Sequence, residues 1–137
     1  MKALPILLAL LAAACAGGEP RAPAAEVSAQ PGPSATVYFL RRYRGAGVDA
    51  TLTTKDRGVD RRLYTGSYFA YQAPPGPLVV SVSSSFNQYI DAAFEVAASK
   101  TYYVELDVGA LDLALRMLDE AEGVSLLKSL KSTPTPR

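Results

Sequence analysis

Residues 68–82 have the sequence YFAYQAPPGPLVVSV, in which a cluster of prolines separates two apolar segments. Pro75 and Gly76 suit the central pair of a type II turn, because proline fixes φ and glycine accepts a positive φ. Pro77 has no amide to close that turn, so an open turn is expected. Alternating apolar residues follow the turn and are typical of a strand. The stretch therefore predicts two strands that change direction at the corner of a β-sandwich.

Strand patterns of the same kind fill the region 35–131. Tyrosine, valine and threonine are frequent here, and these residues favour strands. Apolar residues lie on both faces of the first segment, as in a central strand, whereas most later segments alternate. We predict strands at 36–43, 48–54, 59–64, 68–72, 78–83, 90–96 and 101–108. The expected fold class is all-β: one antiparallel β-sandwich of about seven to eight strands with a short C-terminal helix.

The clearest hairpin pattern lies between residues 90 and 108. In the segment 90–96, four apolar residues share the face opposite two acids. In the segment 101–108, Glu105 and Asp107 lie opposite four apolar residues. Such regular alternation predicts two half-buried antiparallel strands joined by a turn at 98–100, with the acidic face exposed. A slip of one residue would place both acids in the core, so the register is strongly specified.

Residues 111–118 fit either a strand or a helix, because their leucines satisfy both periods. A strand is favoured, since a helix-capping signal comes only afterwards. Asp119 and Glu122 have the spacing of a capping box, and apolar residues then recur at helical intervals. We predict a terminal helix over residues 120–131, followed by a disordered tail over residues 132–137.

Residues 1–14 have the layout of a secretory signal peptide: Lys2, then an apolar run, then small residues. The run is shorter than the roughly 20 apolar residues that span a bilayer. Small residues directly before Cys15 resemble the lipobox of bacterial lipoproteins, in which the signal is cut before a cysteine that then carries lipid. The alternative is an ordinary signal peptide whose removal leaves a free thiol on Cys15.

The resemblance to a lipobox implies an address in the cell envelope. Two or more acyl chains on Cys15 would hold the protein in a membrane, since each buried CH₂ contributes about 0.8 kcal/mol. Ala16 follows Cys15, and by resemblance to enteric sorting rules this favours the periplasmic face of the outer membrane. Residues 15–34 are rich in Pro, Gly and Ala. With so few large apolar residues they are expected to form a flexible tether.

The composition removes several functional classes. The chain of 137 residues has no histidine and one cysteine, which excludes Ser-His-Asp and Cys-His nucleophiles, histidine metal ligands and an internal disulfide. Lys and Arg number 14 against 13 for Asp and Glu, so no global basic field points to nucleic acid. The sequence has no calcium loop and no glycine-rich phosphate loop. We therefore expect no metal, no cofactor and no nucleic-acid partner.

Five short motifs occur in order along the chain: 36–41 (TVYFLR), 66–69 (GSYF), 74–76 (PPG), 100–104 (KTYYV) and 119–128 (DEAEGVSLLK). In that order, behind a tethered lipobox cysteine, they resemble the bacterial domain-of-unknown-function family 2846 of small lipoproteins. They also resemble the wider group of transthyretin-like or PEGA-like β-sandwich modules. The resemblance covers nearly the whole mature domain. It implies a β-sandwich and an envelope address, but no established activity.

Charge is unevenly distributed along the chain. Between residues 41 and 62, seven cations stand against three acids. These cations form a candidate basic interaction patch: Arg41, Arg42, Arg44, Lys55, Arg57, Arg61 and Arg62. Such a patch would meet anionic lipid headgroups or a glycan polymer near the membrane. The favoured interpretation is that these charges keep strand faces and edges soluble and unpaired.

Two further patterns bear on binding or catalysis. Five tyrosines could stack on sugars, although cross-strand packing explains them better: Tyr64, Tyr68, Tyr71, Tyr89 and Tyr103. Glu105 and Asp107 are two carboxylates on one strand face, but glycoside hydrolysis needs two carboxyl groups across a cleft with different pKa values. We therefore expect a non-enzymatic, periplasm-facing interaction or structural module with an unknown envelope protein or glycan as partner. The alternative is a saccharide or cell-wall glycan binding module, and an enzyme is a distant one.

Overall fold

The computed structural model describes residues 33–44, 48–109 and 111–133, and most of them form strands. Its elements are, in chain order, β1 Ala35–Arg41, β2 Ala50–Thr54, β3 Val59–Arg62, β4 Ser67–Ala73, β5 Gly76–Ser84, β6 Tyr89–Val96, β7 Thr101–Val108, β8 Leu113–Leu118, α1 Glu120–Ser129 and β9 Lys131–Ser132. Each segment predicted as a strand contains a strand, and the ambiguous segment 111–118 contributes β8. The predicted signal peptide, Cys15 and most of the predicted tether lie outside the described residues.

The strands form two sheets with the main core between them. The five-stranded sheet has the order β8-β7-β1-β4-β9, and the four-stranded sheet has the order β3-β2-β5-β6. Inward side chains of both sheets fill the core, among them the fully buried Phe39, Leu52, Val80 and Val104. Most strand pairs are antiparallel, but β1–β7 and β4–β9 are parallel. The predicted all-β sandwich with a C-terminal helix is confirmed.

The proline-rich stretch forms the corner between the two sheets. β4 belongs to the five-stranded sheet and β5 to the four-stranded sheet, and only Pro74 and Pro75 separate them. Gly76 has a φ of +116°, a backbone conformation that glycine adopts at little cost. The predicted change of direction at this point is confirmed.

The predicted hairpin between residues 90 and 108 is wrong. β6 pairs with β5, whereas β7 pairs with β8 and lies parallel to β1 in the other sheet. The chain therefore crosses between sheets at this point, with Ser99 at a φ of +61° and its N–H bonded to the carbonyl of Ser34. Alternation assigned the inward faces of both strands correctly. It did not specify the neighbour of each strand, because the same two-residue period suits any partner.

A second hydrophobic layer lies on the outer face of the five-stranded sheet, under α1. Tyr38, Tyr68 and Tyr103 of the sheet belong to one cluster with Leu126 of the helix. The ring of Tyr38 stacks on that of Tyr103 with 5.5 Å between centroids and meets the ring of Tyr68 edge-on at 6.3 Å. Because of this layer, β1 is apolar on both faces. On β7, Tyr103 and Glu105 of the face predicted to be exposed are instead buried, whereas 47% of the Asp107 side chain remains exposed.

The ordered chain continues past the predicted end of the domain at residue 131. α1 ends at Ser129, and β9 then runs parallel to β4. Thr133 is buried, and its hydroxyl donates to Ser67 Oγ at 2.9 Å. The prediction of disorder is therefore wrong for residues 132 and 133, which a short ladder and a buried hydrogen bond hold in place. Residues 134–137 lie outside the described residues.

The two ends of the sandwich carry different loops. We call one the corner end: it holds the start of β1, the β2–β3 turn, the corner itself and the β6–β7 connection. We call the other the arginine end: it holds the end of β1, the β3–β4 loop, the β5–β6 turn and the β7–β8 loop. The registers place Arg41 opposite Ser67 and Ala50 opposite Ser84, which brings these loops to the same end. Among residues 33–44, 48–109 and 111–133, the structure contains no helix with the length and apolar composition of a membrane span.

Candidate functional site

The seven cations of the predicted basic patch do not form one exposed surface. Arg41, Arg42 and Arg44 lie at the arginine end, Lys55 and Arg57 in the β2–β3 turn at the corner end, and Arg61 and Arg62 on β3. Arg41 and Arg61 are each only 5% exposed. The chain segment is basic, but the fold divides its charges between two ends and buries two of them.

Arg41 joins the two sheets at the arginine end. Its Nη1 donates to the carbonyl of Leu63 at 2.7 Å, and its Nη2 donates to the carbonyl of Val48 at 2.6 Å. Leu63 follows β3 and Val48 precedes β2, so a side chain of the five-stranded sheet binds the end of the other sheet. Burial lowers the pKa of Arg41, and the nearby charge of Asp49 offsets part of this effect. Arg41 therefore stabilises the arginine end and offers no free charge to a partner.

Arg57 and Arg61 lie over aromatic rings of β4. The guanidinium carbon of Arg57 is 5.6 Å from the centroid of Tyr71, and that of Arg61 is 5.3 Å from the centroid of Phe69. Such cation–π contacts stabilise a structure by about 0.5–2 kcal/mol. The hydroxyl of Tyr71 also donates to the carboxylate of Asp56. Together these contacts join the β2–β3 hairpin to β4 across the gap between the sheets.

A network of four charged side chains connects the sheet to α1: Arg42, Glu105, Arg116 and Glu122. Glu105 is buried, with 6% of its side chain exposed. Arg42 Nε donates to Glu105 Oε1 at 2.6 Å, and Arg116 Nη2 donates to Glu105 Oε2 at 2.7 Å. Both arginines also donate to Glu122 Oε1, at 3.4 and 3.0 Å. We call these four residues the ion-pair network; it ties the end of β1, β7 and β8 to the first turn of the helix.

The electrostatics of Glu105 suit a structural role. Burial alone would raise its pKa, but the hydrogen bonds and charges of Arg42 and Arg116 outweigh burial, so the pKa lies below its ordinary value of 4.5. Glu105 is therefore ionised at neutral pH and is not placed to act as a general acid. The second acid of this face, Asp107, lies 3.4 Å from Arg44 in a separate ion pair. The two carboxylates considered as a glycosidase pair are thus held by different arginines.

Helix α1 uses only half of the predicted capping box. The N–H of Glu122 donates to Asp119 Oδ1 at 2.8 Å, so Asp119 is the N-cap. The Glu122 side chain, which a capping box would direct back to the N-cap amide, instead accepts from the arginines of the ion-pair network. A residue predicted to stabilise the helix locally therefore anchors it to the sheet.

Large apolar side chains are exposed in the loops of the arginine end. The exposed fractions are 76% for Tyr43, 45% for Tyr64, 57% for Phe86 and 95% for Leu111. Tyr43 packs beside Gly66, since its Cβ lies 3.5 Å from where a Cβ on that glycine would be. Single exposed apolar residues are common, but a group of them in the loops of one end is typical of an interaction surface. We call these four residues the loop-tip residues.

Sequence reasoning singled out Tyr64 but missed the other three loop-tip residues. The sequence pattern places Tyr43 and Leu111 at the ends of predicted strands, whereas β1 stops at Arg41 and β8 starts at Leu113. Phe86 lies in the β5–β6 turn, where Asn87 has a φ of +58°. Phe86 stands between Ser85 and Asn87, and Tyr43 and Leu111 each stand two positions from a glycine, at points where a strand is expected to end. A large apolar residue close to turn-forming residues was therefore the sequence signal for an exposed position in a loop.

The cavity between β1 and β7 at the arginine end is small. This cavity, lined by Arg42, Arg44, Thr65 and Asp107 among others, has a volume of about 10 Å³. That volume holds about one water molecule. Pockets for drug-sized ligands are usually about 300 Å³ or larger. This cavity is therefore too small for such a ligand.

The five tyrosines considered for sugar stacking do not form one platform. Tyr68 and Tyr103 are buried under α1, and Tyr71 is buried in the main core. Tyr64 is exposed at the arginine end, and Tyr89 is exposed on β6. The three buried rings fit the strand-packing interpretation, and the two exposed ones lie on different elements.

Comparison with known proteins adds little to this description. No family model matches the sequence, and no curated protein matches it. The chain is similar to a solved structure described as the NMR structure of the protein from Eubacterium rectale. The two sequences are 14% identical, the match covers 66% of this chain and 94% of that one, and the TM-score is 0.39. So weak a likeness carries no argument. The class of this protein rests on its own geometry, that of an all-β sandwich with a helix packed on one sheet.

Proposed function

We propose that this protein is a bacterial cell-envelope lipoprotein whose β-sandwich is a non-enzymatic interaction module. Acyl chains on Cys15 hold it at the periplasmic face of the outer membrane, and residues 15–34 tether the folded domain. The arginine end binds another envelope protein. Membership of the lipoprotein family that the sequence resembles is part of this proposal.

One observation carries the choice of surface: the loop-tip residues are exposed together at the arginine end. Exposed apolar side chains are unfavourable in water, and their burial is the main favourable contribution to protein association. Aromatic residues and arginine are also the residue types enriched at protein–protein interfaces. Arg42 and Arg44 lie next to Tyr43 and supply that chemistry at the rim of the surface.

The position of the anchor agrees with this choice. β1 begins at Ala35, opposite Ala73 and next to the corner, so the chain enters the domain at the corner end. Because the flexible tether joins the domain at this end, the arginine end lies opposite the point of attachment. The tether therefore leaves the arginine end open to a partner in the periplasm.

The interaction is tested by site-specific photo-crosslinking in cells. A photoreactive residue is placed at Tyr43 or Leu111 and, as matched controls at the corner end, at Pro75 or Ser99, which are all exposed. We expect one discrete protein adduct from each arginine-end site and none from the control sites. Leu111→Ser should weaken the adduct formed from Tyr43 about tenfold, as expected when an apolar anchor is lost.

Two outcomes would contradict the proposed interaction. In one, all four sites capture the same set of abundant proteins, which indicates random collision. In the other, Leu111→Ser leaves the adduct formed from Tyr43 unchanged. Crosslinking would then not depend on binding through the loop-tip residues. Folding of each variant is checked beforehand by its thermal unfolding midpoint.

A further inference from the structure

The outer face of the four-stranded sheet carries two adjacent rows of polar side chains. Every second side chain of a strand points away from the main core. The strand registers place these outward residues side by side across β3, β2, β5 and β6. One row consists of Asp60, Thr53, Ser81 and Asp91, and the next row consists of Arg62, Thr51, Ser83 and Tyr89. We call these residues the polar rows.

The polar rows form a shallow trough that runs along the strands. The central strands β2 and β5 contribute only threonine and serine to the rows, whereas the outer strands β3 and β6 contribute larger side chains that are all exposed. Thr53 is half-buried and Ser81 is only 5% exposed, so they lie at the floor of the trough. Neighbouring strands are about 4.8 Å apart, which separates the two walls by roughly 14 Å. A trough of this width admits one extended chain molecule.

Tyr89 lies along this face with much of its ring exposed. Its hydroxyl donates to Asp91 Oδ1 at 2.7 Å and lies 3.0 Å from Ser81 Oγ. Asp91 is two residues further along the strand, a distance of about 7 Å, so the Tyr89 side chain leans along the sheet to reach it. Because the hydroxyl is bound and 57% of the residue is exposed, the exposed area belongs mostly to the ring. A ring held in this way offers an apolar platform whose ordering cost is already met.

The two carboxylates of the polar rows are fixed hydrogen-bond acceptors. The hydroxyl of Thr53 donates to Asp60 Oδ1, and the hydroxyl of Ser81 donates to Asp91 Oδ1. The hydrogen bonds from Ser81 and Tyr89 lower the pKa of Asp91, which is therefore ionised at neutral pH. All of these bonds use Oδ1, so Oδ2 of each carboxylate can accept from a ligand.

The charge and composition of this face favour a neutral saccharide. Arg62 in the polar rows and Lys55 close to Asp91 balance the charges of Asp60 and Asp91, so the face attracts neither a polyanion nor a polycation. Apart from Tyr89, the polar rows contain no large apolar side chain, whereas the centre of a protein–protein interface is largely apolar. Sugars combine many hydroxyl groups with C–H groups that suit the face of an aromatic ring.

We propose that this trough binds an uncharged saccharide chain, with one sugar ring against Tyr89 and its hydroxyl groups bonded to Asp91. Asp60 and Arg62 bind sugar hydroxyls from the opposite wall. The small side chains of the floor let the saccharide approach the sheet closely. The site uses none of the loop-tip residues, so it does not depend on the function proposed for the arginine end.

NMR titration of the purified protein tests this proposal. The probes are the neutral tetrasaccharides of glucose, mannose, galactose and N-acetylglucosamine. We expect at least one probe to shift the backbone amides of Ser83 and Tyr89 but not that of Phe39 in the other sheet. Tyr89→Ala and Asp91→Asn should each weaken its binding roughly tenfold. The matched control Tyr64→Ala removes an exposed tyrosine at the arginine end and should leave the affinity unchanged. The thermal unfolding midpoint reports whether each variant is folded.

Three results would overturn the proposal. One is that none of the probes shifts these amides at millimolar concentration. Another is an affinity that Tyr89→Ala leaves unchanged or that Tyr64→Ala lowers equally, because the sugar would then lie elsewhere. The third is tighter binding of the galacturonic acid tetrasaccharide than of the galactose tetrasaccharide, which would contradict the choice of an uncharged ligand.

Discussion

Gly123→Ala should lower the free energy of unfolding by about 2 kcal/mol, even though alanine is the better helix former by about 1 kcal/mol. A Cβ at Gly123 would lie 2.2 Å from Cγ and 2.5 Å from Cβ of Tyr103. Tyr103 cannot move aside, because its ring is stacked on Tyr38 and Tyr38 in turn contacts Tyr68. The helix would have to lift from the sheet, and with it Leu126 would leave the second hydrophobic layer.

Urea denaturation measures this effect, with Ser125→Ala as the matched control. Ser125 is exposed on the same helix, so its replacement should change the free energy of unfolding by less than about 0.5 kcal/mol. For a domain of this size, the Gly123→Ala change corresponds to a fall of roughly 10 °C in Tm. If Gly123→Ala proves as stable as the wild type, α1 does not pack on Tyr103 as described.

Glu105→Gln should lower the free energy of unfolding by about 2–3 kcal/mol at neutral pH. Glutamine keeps the shape of the side chain but removes the charge that holds Arg42 and Arg116, which lie 2.6 and 2.7 Å away. The expected loss is smaller than for a fully buried ion pair, because both arginines are partly exposed and retain water. Glu122→Gln is the matched control: with 38% of its side chain exposed, it should change stability by no more than about 1 kcal/mol.

The effect of Glu105→Gln should depend on pH in a defined direction. The pKa of Glu105 in the folded protein lies below its ordinary value of 4.5. Glu105 is therefore protonated at a higher pH in the unfolded chain than in the folded protein. As the pH falls from about 5 through the folded pKa, the stabilisation by Glu105 is lost. The difference between wild type and Glu105→Gln should be largest above about pH 5 and should shrink as the pH falls. A difference that stays constant from pH 7 to pH 3 would contradict the description of Glu105 as an ionised group held by arginines.

The faces of the strands could be predicted from the sequence, but their neighbours could not. The alternation in residues 90–96 and 101–108 placed Phe94 and Leu106 on the inward side correctly. It could not reveal that β6 and β7 belong to different sheets, because alternation is the same for any pairing partner. The corner at Pro75 and Gly76 was predictable because its residue types restrict φ directly.

The residues of the arginine end were harder to predict, because their roles depend on contacts between distant segments. Arg41 and Arg42 are adjacent in the chain, yet one binds carbonyls of the opposite sheet and the other binds Glu105 under the helix. A count of charges along the segment 41–62 predicts that both arginines are exposed cations. Gly123 is a further case: a glycine normally weakens a helix, and only the folded structure shows that it lies against the ring of Tyr103.

The proposed function depends most on the attachment at Cys15, because a domain without an anchor would not present its arginine end from a membrane. The most direct measurement compares wild type and Cys15→Ser for incorporation of labelled fatty acid and for partition between membrane and soluble fractions. We expect the wild type to be labelled and to stay with the membranes, and Cys15→Ser to be unlabelled and soluble. Membrane retention that is unchanged by Cys15→Ser, or a wild type that carries no label, would contradict the proposal of a lipid-anchored interaction module.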